Sequence, residues 1–296
     1  MLSVLVATVG GLFAPGERVS AALEGRRVDA IARDGDALWA IVDEHSVWRH
    51  TPEQQWQSVA MVEERRLNCL GPHRGRLLLG TSAAHLFALR DGEVDVVSSF
   101  DAAPGRESWF TPWGGPPDVR SMARDDDGGL FVNVHVGGIL RSDDLEGWTP
   151  TIEMSSDVHE VVVDRGRVLA ATAWGLGTSE DHGATWTFHR AGLHDSYARA
   201  VTVCSDAVLL SASEGPRGRR AAIYRMAQGA EGFVKCEEGL PAWFDHNIDT
   251  GCLAGRGPSA VAATEEGDVF ISQDSGLTWR QLADDLPAAR WVELLP

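Results

Sequence analysis

The chain has 296 residues, 44% of them hydrophobic and 23% charged, with a formal net charge of −17. That is the composition of an ordinary globular protein, built as one large domain or two modest ones. Acidic excess without a compensating run of Lys and Arg repels phosphate backbones and anionic lipid, so neither nucleic acid nor a membrane is an expected partner.

No stretch approaches the roughly 20 apolar residues of a membrane span. The opening run, "LSVLVATVGG", lacks a basic leading segment and a small-residue cleavage site, so it is expected to be a strand. Cys69, Cys204, Cys236 and Cys252 form no CxxC pair, which fits reduced, buried thiols in a cytoplasmic protein.

From Val28 onward one unit recurs. It is a short apolar strand, a Gly- or Asp-containing turn, a second strand rich in Ala, Val and Leu, and two weaker strands. Copies begin at Val28 ("VDAIARDGDALWAIVDE"), Leu67, Val119, Val158, Ala198 and, more loosely, Ile248, so the starts lie 39, 52, 39, 40 and 50 residues apart. That period belongs to four-stranded propeller blades, and helical periodicity is absent. The C-terminal "ARWVELLP" reads as a first strand, and residues 2–23 supply a second, third and fourth. Together they make a seventh blade that closes the ring without a free sheet edge. The expected fold is therefore all-β. It is a single seven-bladed β-propeller over 1–296 with four-stranded antiparallel blades at 28–64, 67–100, 118–155, 157–193, 197–240 and 247–287, and a closing blade from 1–25 plus 288–296. Such a ring can stand as a monomer.

Two stretches, "SEDHGATW" and "SQDSGLTW", share one pattern: Ser179, Asp181, Gly183, Thr185, Trp186 and Ser272, Asp274, Gly276, Thr278, Trp279. A third, "SDDLEGW" at 142–148, is one residue short and lacks the Thr. Ser and Asp side chains bond the amides of a tight turn, Gly allows a positive φ, and Trp packs beneath, so the motif is expected to staple the third strand to the fourth. The pattern resembles the Asp-box of BNR-repeat propellers, which include sialidases, sortilin-like receptors and photosystem assembly factors. A non-sialidase branch is the expected place for this chain: sialidases have six blades, and no Arg-Ile-Pro segment occurs near the N-terminus.

Strand entrances bear the expected site, on the face opposite the Asp-boxes. They place Asp29, Asn68, Arg120, His159, Arg199, Asp249 and Arg290 in similar registers. Both long spacings map to the same face. One comes from the Pro- and Gly-rich insertion at 101–118 with Trp109, Phe110 and Trp113, and the other from "SEGPRGRR" and "EEGLPAWFDHN". Three uses of this rim remain open. Arg120, Arg199 and Arg290 form an anion cradle, similar to the arginine triad of sialidases, with Trp113 and Phe244 closing over an apolar portion and His135 and Asp249 adding polar contacts. Alternatively, His135, His159 and His194 ligate a divalent metal ion in the channel, as in a metal-dependent enzyme. In the third use His159, with Glu160 and Tyr197, transfers protons in hydrolase or lyase chemistry. The preferred ligand is a small polar, anionic molecule; the rival is a non-catalytic scaffold that binds a protein partner.

Overall fold

Tight turns show how local sequence fixes the strands. Arg74-Gly75, Asp91-Gly92 and Arg165-Gly166 each have positive φ at both residues, from 48° to 85°. Each of these pairs joins two antiparallel strands, the geometry whose twist matches that of the flanking strands. Between such turns the Val-, Leu- and Ala-rich runs pair into seven separate four-stranded antiparallel sheets.

The computed structural model describes residues 3–14 and 17–296. Blade 1 is Val28–Asp34, Ala37–Val42, Ser46–Thr51 and Gln54–Met61; blade 2 is Leu67–His73, Arg76–Thr81, Leu86–Arg90 and Glu93–Val96. Blade 3 is Val119–Arg124, Leu130–Val134, Gly138–Ser142 and Thr149–Pro150; blade 4 is Val158–Asp164, Arg167–Thr172, Gly175–Ser179 and Thr187–His189. Blade 5 is Tyr197–Cys204, Ala207–Ser213, Ala222–Ala227 and Val234–Lys235; blade 6 is Leu253–Arg256, Ser259–Ala263, Val269–Ser272 and Arg280–Ala283. In blade 7 the C-terminal strand Ala289–Leu295 pairs antiparallel with Ser3–Thr8, followed by Gly11–Ala14 and Glu17–Arg18. The fold is thus a seven-bladed β-propeller whose two chain ends share a blade. Met1, Leu2, Pro15 and Gly16, which the closing blade was expected to include, lie outside the described residues. No helix among the described residues is long and apolar enough to cross a membrane.

Blade 6 starts at Leu253, later than the Ile248 suggested by the repeat. A turn intervenes: the Cys252 amide bonds the Asp249 carbonyl at 2.9 Å, and Gly251 has φ 77°. Asp249 therefore belongs to a loop, not to a strand entrance.

The chain forms two compact units. The first unit holds Asp29–Ala170 and Thr178–Thr187; the second holds Ala171–Gly177, Phe188–Pro296 and the N-terminal segment through Val28. In the first, the fully buried Phe100 lies edge-on to Trp148 at 4.8 Å and tilted against Trp109 at 5.8 Å, among Leu78, Leu86, Val119 and Val134. In the second, Ile223, Phe244, Phe270 and Trp279 anchor one cluster, and Val4, Val6, Val261, Val292 and Leu294 another.

The two full "SxDxGxTW" turns share one hydrogen-bond pattern. Ser179 Oγ accepts the Gly183 amide at 2.8 Å and donates to Asp181 Oδ1 at 2.8 Å, while Asp181 accepts the Thr185 amide at 2.8 Å and hydroxyl at 2.7 Å. Ser272, Asp274, Gly276 and Thr278 repeat this within 0.1 Å. Trp186 and Trp279 each donate Nε1–H to the carbonyl of the turn glycine. A side chain is unwelcome at those glycines, with φ 89° and 86°. A Cβ would lie 2.7 Å from Thr151 Cβ at Gly183 and 2.5 Å from Leu209 Cδ2 at Gly276. In the short copy, Leu145 takes the left-handed conformation and its amide bonds Ser142 Oγ at 3.0 Å, so the same staple survives with one residue fewer.

Candidate functional site

Ladder registers give the strand-entrance residues a physical distinction. In blade 2, Leu67 pairs with Thr81 and Cys69 with Gly80, which leaves Asn68 out of the ladder. In blade 3, Val119 pairs with Val134 and Ser121 with Asn133, leaving out Arg120. Blade 5 jumps from Ala198 to Val201, past Arg199 and Ala200, and blade 7 from Ala289 to Trp291, past Arg290. Each is a β-bulge, and bulges re-aim a side chain that a regular ladder would hold in alternation. In blade 5 the buried Ser211 absorbs part of the disruption: its Oγ accepts the Ala200 amide at 2.9 Å and donates to the Ile248 carbonyl at 2.9 Å. The buried Ser121 Oγ of blade 3 instead reaches blade 4, where it accepts the Val161 amide at 3.0 Å.

The first unit brings together the densest group of chemically capable side chains. His135 follows the second strand of blade 3, and its amide bonds the Asp118 carbonyl at 2.9 Å, which seats it beside the entrance to Val119–Arg124. His159 is the second residue of blade 4. Their rings lie 5.6 Å apart and both address Asp157: His135 Nε2 is 3.0 Å from Oδ1 and His159 Nε2 is 3.6 Å from Oδ2. The His159 side chain is 0% exposed, that of His135 4% and that of Asp157 28%. Asp157 ends the short turn Met154–Ser156 with φ 48° and ψ 70°, its amide bonded to the Met154 carbonyl at 3.2 Å. A left-handed non-glycine residue is uncommon, and here it turns the carboxylate toward both imidazoles. Burial pushes the Asp157 carboxyl up, but the hydrogen bond to His135 and the charges of His159, His135 and Arg120 outweigh it and hold the group below the usual carboxylate range.

The 101–118 insertion overhangs this group. Trp109 turns inward and is buried against Phe100, whereas Phe110 is 65% and Trp113 69% exposed. The Trp113 ring rests 5.4 Å from that of His135. Trp109 sits in the same insertion but does not share the exposure of Phe110 and Trp113, because Phe100 gives it an apolar berth. Glu160, next to His159, is buried.

The remaining expected residues lie in the second unit, apart from Asp29, whose carboxylate accepts the Glu44 amide at 3.1 Å in the first. Arg199 gives Nη1 to Asp249 Oδ1 at 2.8 Å, and its guanidinium carbon lies 5.5 Å from the Tyr197 ring. The cation is therefore already met by a carboxylate. Phe244 is buried, edge-on to Phe270 at 5.8 Å, and serves the core. His194 shares a hydrogen bond of 2.6 Å between Nδ1 and the Tyr224 hydroxyl and packs 4.8 Å from Trp243, whose ring also carries Arg220 and Lys235. Burial, then the nearby Arg220 charge, lowers the His194 pKa. Arg290 is exposed at its bulge in blade 7. Of the three histidines considered as ligands, the structure joins His135 and His159, and the third donor beside them is Asp157. The Asp157-Val158-His159 spacing is visible in the sequence, but a loop aspartate one residue ahead of a strand gives no periodic signal.

No family model matches the chain, and no curated protein matches it in sequence. Solved structures do resemble it. The extracellular domain of the hybrid two-component system BT3049 from B. thetaiotaomicron aligns with 96% of this chain at 16% identity and a TM-score of 0.66, and the chain spans 38% of that protein's length. YCF48 from Cyanidioschyzon merolae aligns over 99% of this chain and 94% of its own at 14% identity and a TM-score of 0.58. YCF48 bound to D1 peptide aligns over 95% and 85% at 13% identity and a TM-score of 0.59. These likenesses show the fold. At such identities they assign no activity.

Proposed function

We propose that the chain is a ligand-recognition propeller of the Asp-box type whose first unit binds a small polar molecule bearing a carboxylate or phosphate. Arg120, re-aimed by its bulge, supplies a guanidinium suited to such an anion. The imidazoles of His135 and His159 add hydrogen bonds, and Trp113 covers the ligand's less polar part. Trp113 is the observation that carries this reading. A tryptophan 69% exposed on an inserted loop, yet parked on His135, leaves apolar surface in water beside a polar, mostly buried cluster. If the bound molecule reacts, His159 or His135 would move the proton, with Asp157 fixing the imidazole.

A panel of mono- and dicarboxylates and phosphate monoesters screened by thermal shift, with hits measured by calorimetry, tests the reading. At least one compound should bind, and Arg120→Ala should weaken it by tenfold or more in a protein that still melts cooperatively. A panel without binders, or a hit indifferent to Arg120→Ala, would refute it. A second reading, docking of a protein or peptide, draws support from the paired exposure of Phe110 and Trp113 and from the peptide-bound state of the similar YCF48 structure. Under it, replacing both aromatics abolishes partner capture while Arg120→Ala does not.

A further inference from the structure

We propose that His135 Nε2, His159 Nε2 and the Asp157 carboxylate bind one divalent first-row transition-metal ion, an inference that rests on the same site as the ligand reading above. Two imidazoles and a carboxylate form a donor set that suits zinc, ferrous iron, cobalt or nickel, and that an all-oxygen magnesium or calcium site does not use.

The distances fit. With metal-to-ligand bonds of about 2.0–2.2 Å, neighbouring donors stand about 3.4 Å apart in a tetrahedral site and about 3.0 Å apart in an octahedral one. His135 Nε2 and His159 Nε2 stand 3.0 and 3.6 Å from the two oxygens of Asp157, and the three donors can all be placed within 4.8 Å of one another. Closing the set on one ion would draw the three donors from separations of at most 4.8 Å to about 3.0–3.4 Å. Burial is distributed as an exchangeable site requires. Both imidazoles are packed in place, while the partly exposed Asp157 marks the side left for solvent or an anionic ligand. Three protein donors with a remaining position describe a metal that takes ligand, in contrast to the closed four-donor sets of structural sites. Trp113, whose ring lies 5.4 Å from that of His135, then links the metal to the anion recognition proposed above.

Tag-free protein, stripped with chelator and verified metal-free by elemental analysis, should be titrated with Zn²⁺, Co²⁺ and Ni²⁺ by calorimetry, with the visible spectrum of the cobalt form followed in parallel. One saturating equivalent is expected, with a cobalt spectrum of mixed nitrogen and oxygen ligation. Because outer-sphere partners alone are worth about 10- to 100-fold in metal affinity, loss of a ligand should exceed about 100-fold. Asp157→Asn, His135→Gln and His159→Gln should each show that loss, and His246→Ala, whose imidazole pairs with Glu266 in the second unit, should not. Should His159→Gln fail to fold, Asp157→Asn, at the partly exposed position, decides the matter. Absence of saturable binding to wild type, or binding indifferent to Asp157→Asn and His135→Gln, overturns the inference. The two proposals fail separately: anions that bind stripped protein while no metal does would refute the metal alone, and a bound metal without any anion would refute the ligand reading alone.

Discussion

Replacing Ser211 by Ala probes the bulge that sets the register of Arg199. The Ser211 hydroxyl is buried, accepts the Ala200 amide at 2.9 Å and donates to the Ile248 carbonyl at 2.9 Å. The ladder passes over Ala200, so in Ser211→Ala its amide loses the acceptor that the serine supplies. A buried donor stripped of its partner costs about 1–3 kcal/mol, and the carbonyl, with a second lone pair, adds less, so about 2 kcal/mol is expected. At about 2.1 cal/mol/K per residue, a 296-residue chain has an unfolding entropy of about 0.6 kcal/mol/K, and the penalty becomes a fall of about 3 °C in melting temperature. Calorimetric melting and urea titration of Ser211→Ala would be compared with Ser155→Ala, an exposed serine for which a change within about 0.5 kcal/mol is expected. If the two variants melted together, the serine would not be compensating the bulge and the account of the strand entrances would be wrong.

Two further expectations follow from ionisable groups. Burial pushes the thiols of Cys69 and Cys204 up to about 12 and that of Cys236 up to about 11, and Cys252 is also buried, so none of the four should react with a disulfide reagent in native protein at pH 8, and all four should after urea; rapid native labelling would contradict the packing. The Thr185 amide and hydroxyl and the Ser179 hydroxyl hold Asp181 at about 2, below its ordinary 3.8; the stabilisation is thus fully present above about pH 4 and lost as pH falls toward 2, so Asp181→Asn should flatten the acid limb of a stability-against-pH curve, and an unchanged limb would refute the stapling role.

The architecture was legible because its signals are local and repeated. Strand pairs recur every 39 to 52 residues, and hydrophobic strands alternate with Gly-containing turns. The "SxDxGxTW" staples could be read residue by residue, since the bonds that the Ser, Asp and Thr side chains make within them span four positions or fewer. Strand-entrance polarity picked out Asn68, Arg120, Arg199 and Arg290, although nothing in the sequence shows that each falls at a bulge. What escaped depends on contacts distant in the chain. Trp109 looks like its exposed neighbours Phe110 and Trp113 until Phe100 buries it. Phe244 reads as a loop aromatic but meets Phe270 in the core, and Arg199 reads as a free cation until Asp249 approaches from 50 residues away. Asp157 owes its place to one left-handed backbone angle, for which an aspartate supplies only weak local preference.

The most direct test of the central claim is a crystal structure of the protein grown with its best carboxylate or phosphate ligand. The account predicts that the anionic group is bound against Arg120 and the His135–Asp157–His159 group, with Trp113 laid over the remainder. Ligand density confined to other surfaces, with these side chains left as they are, would contradict it.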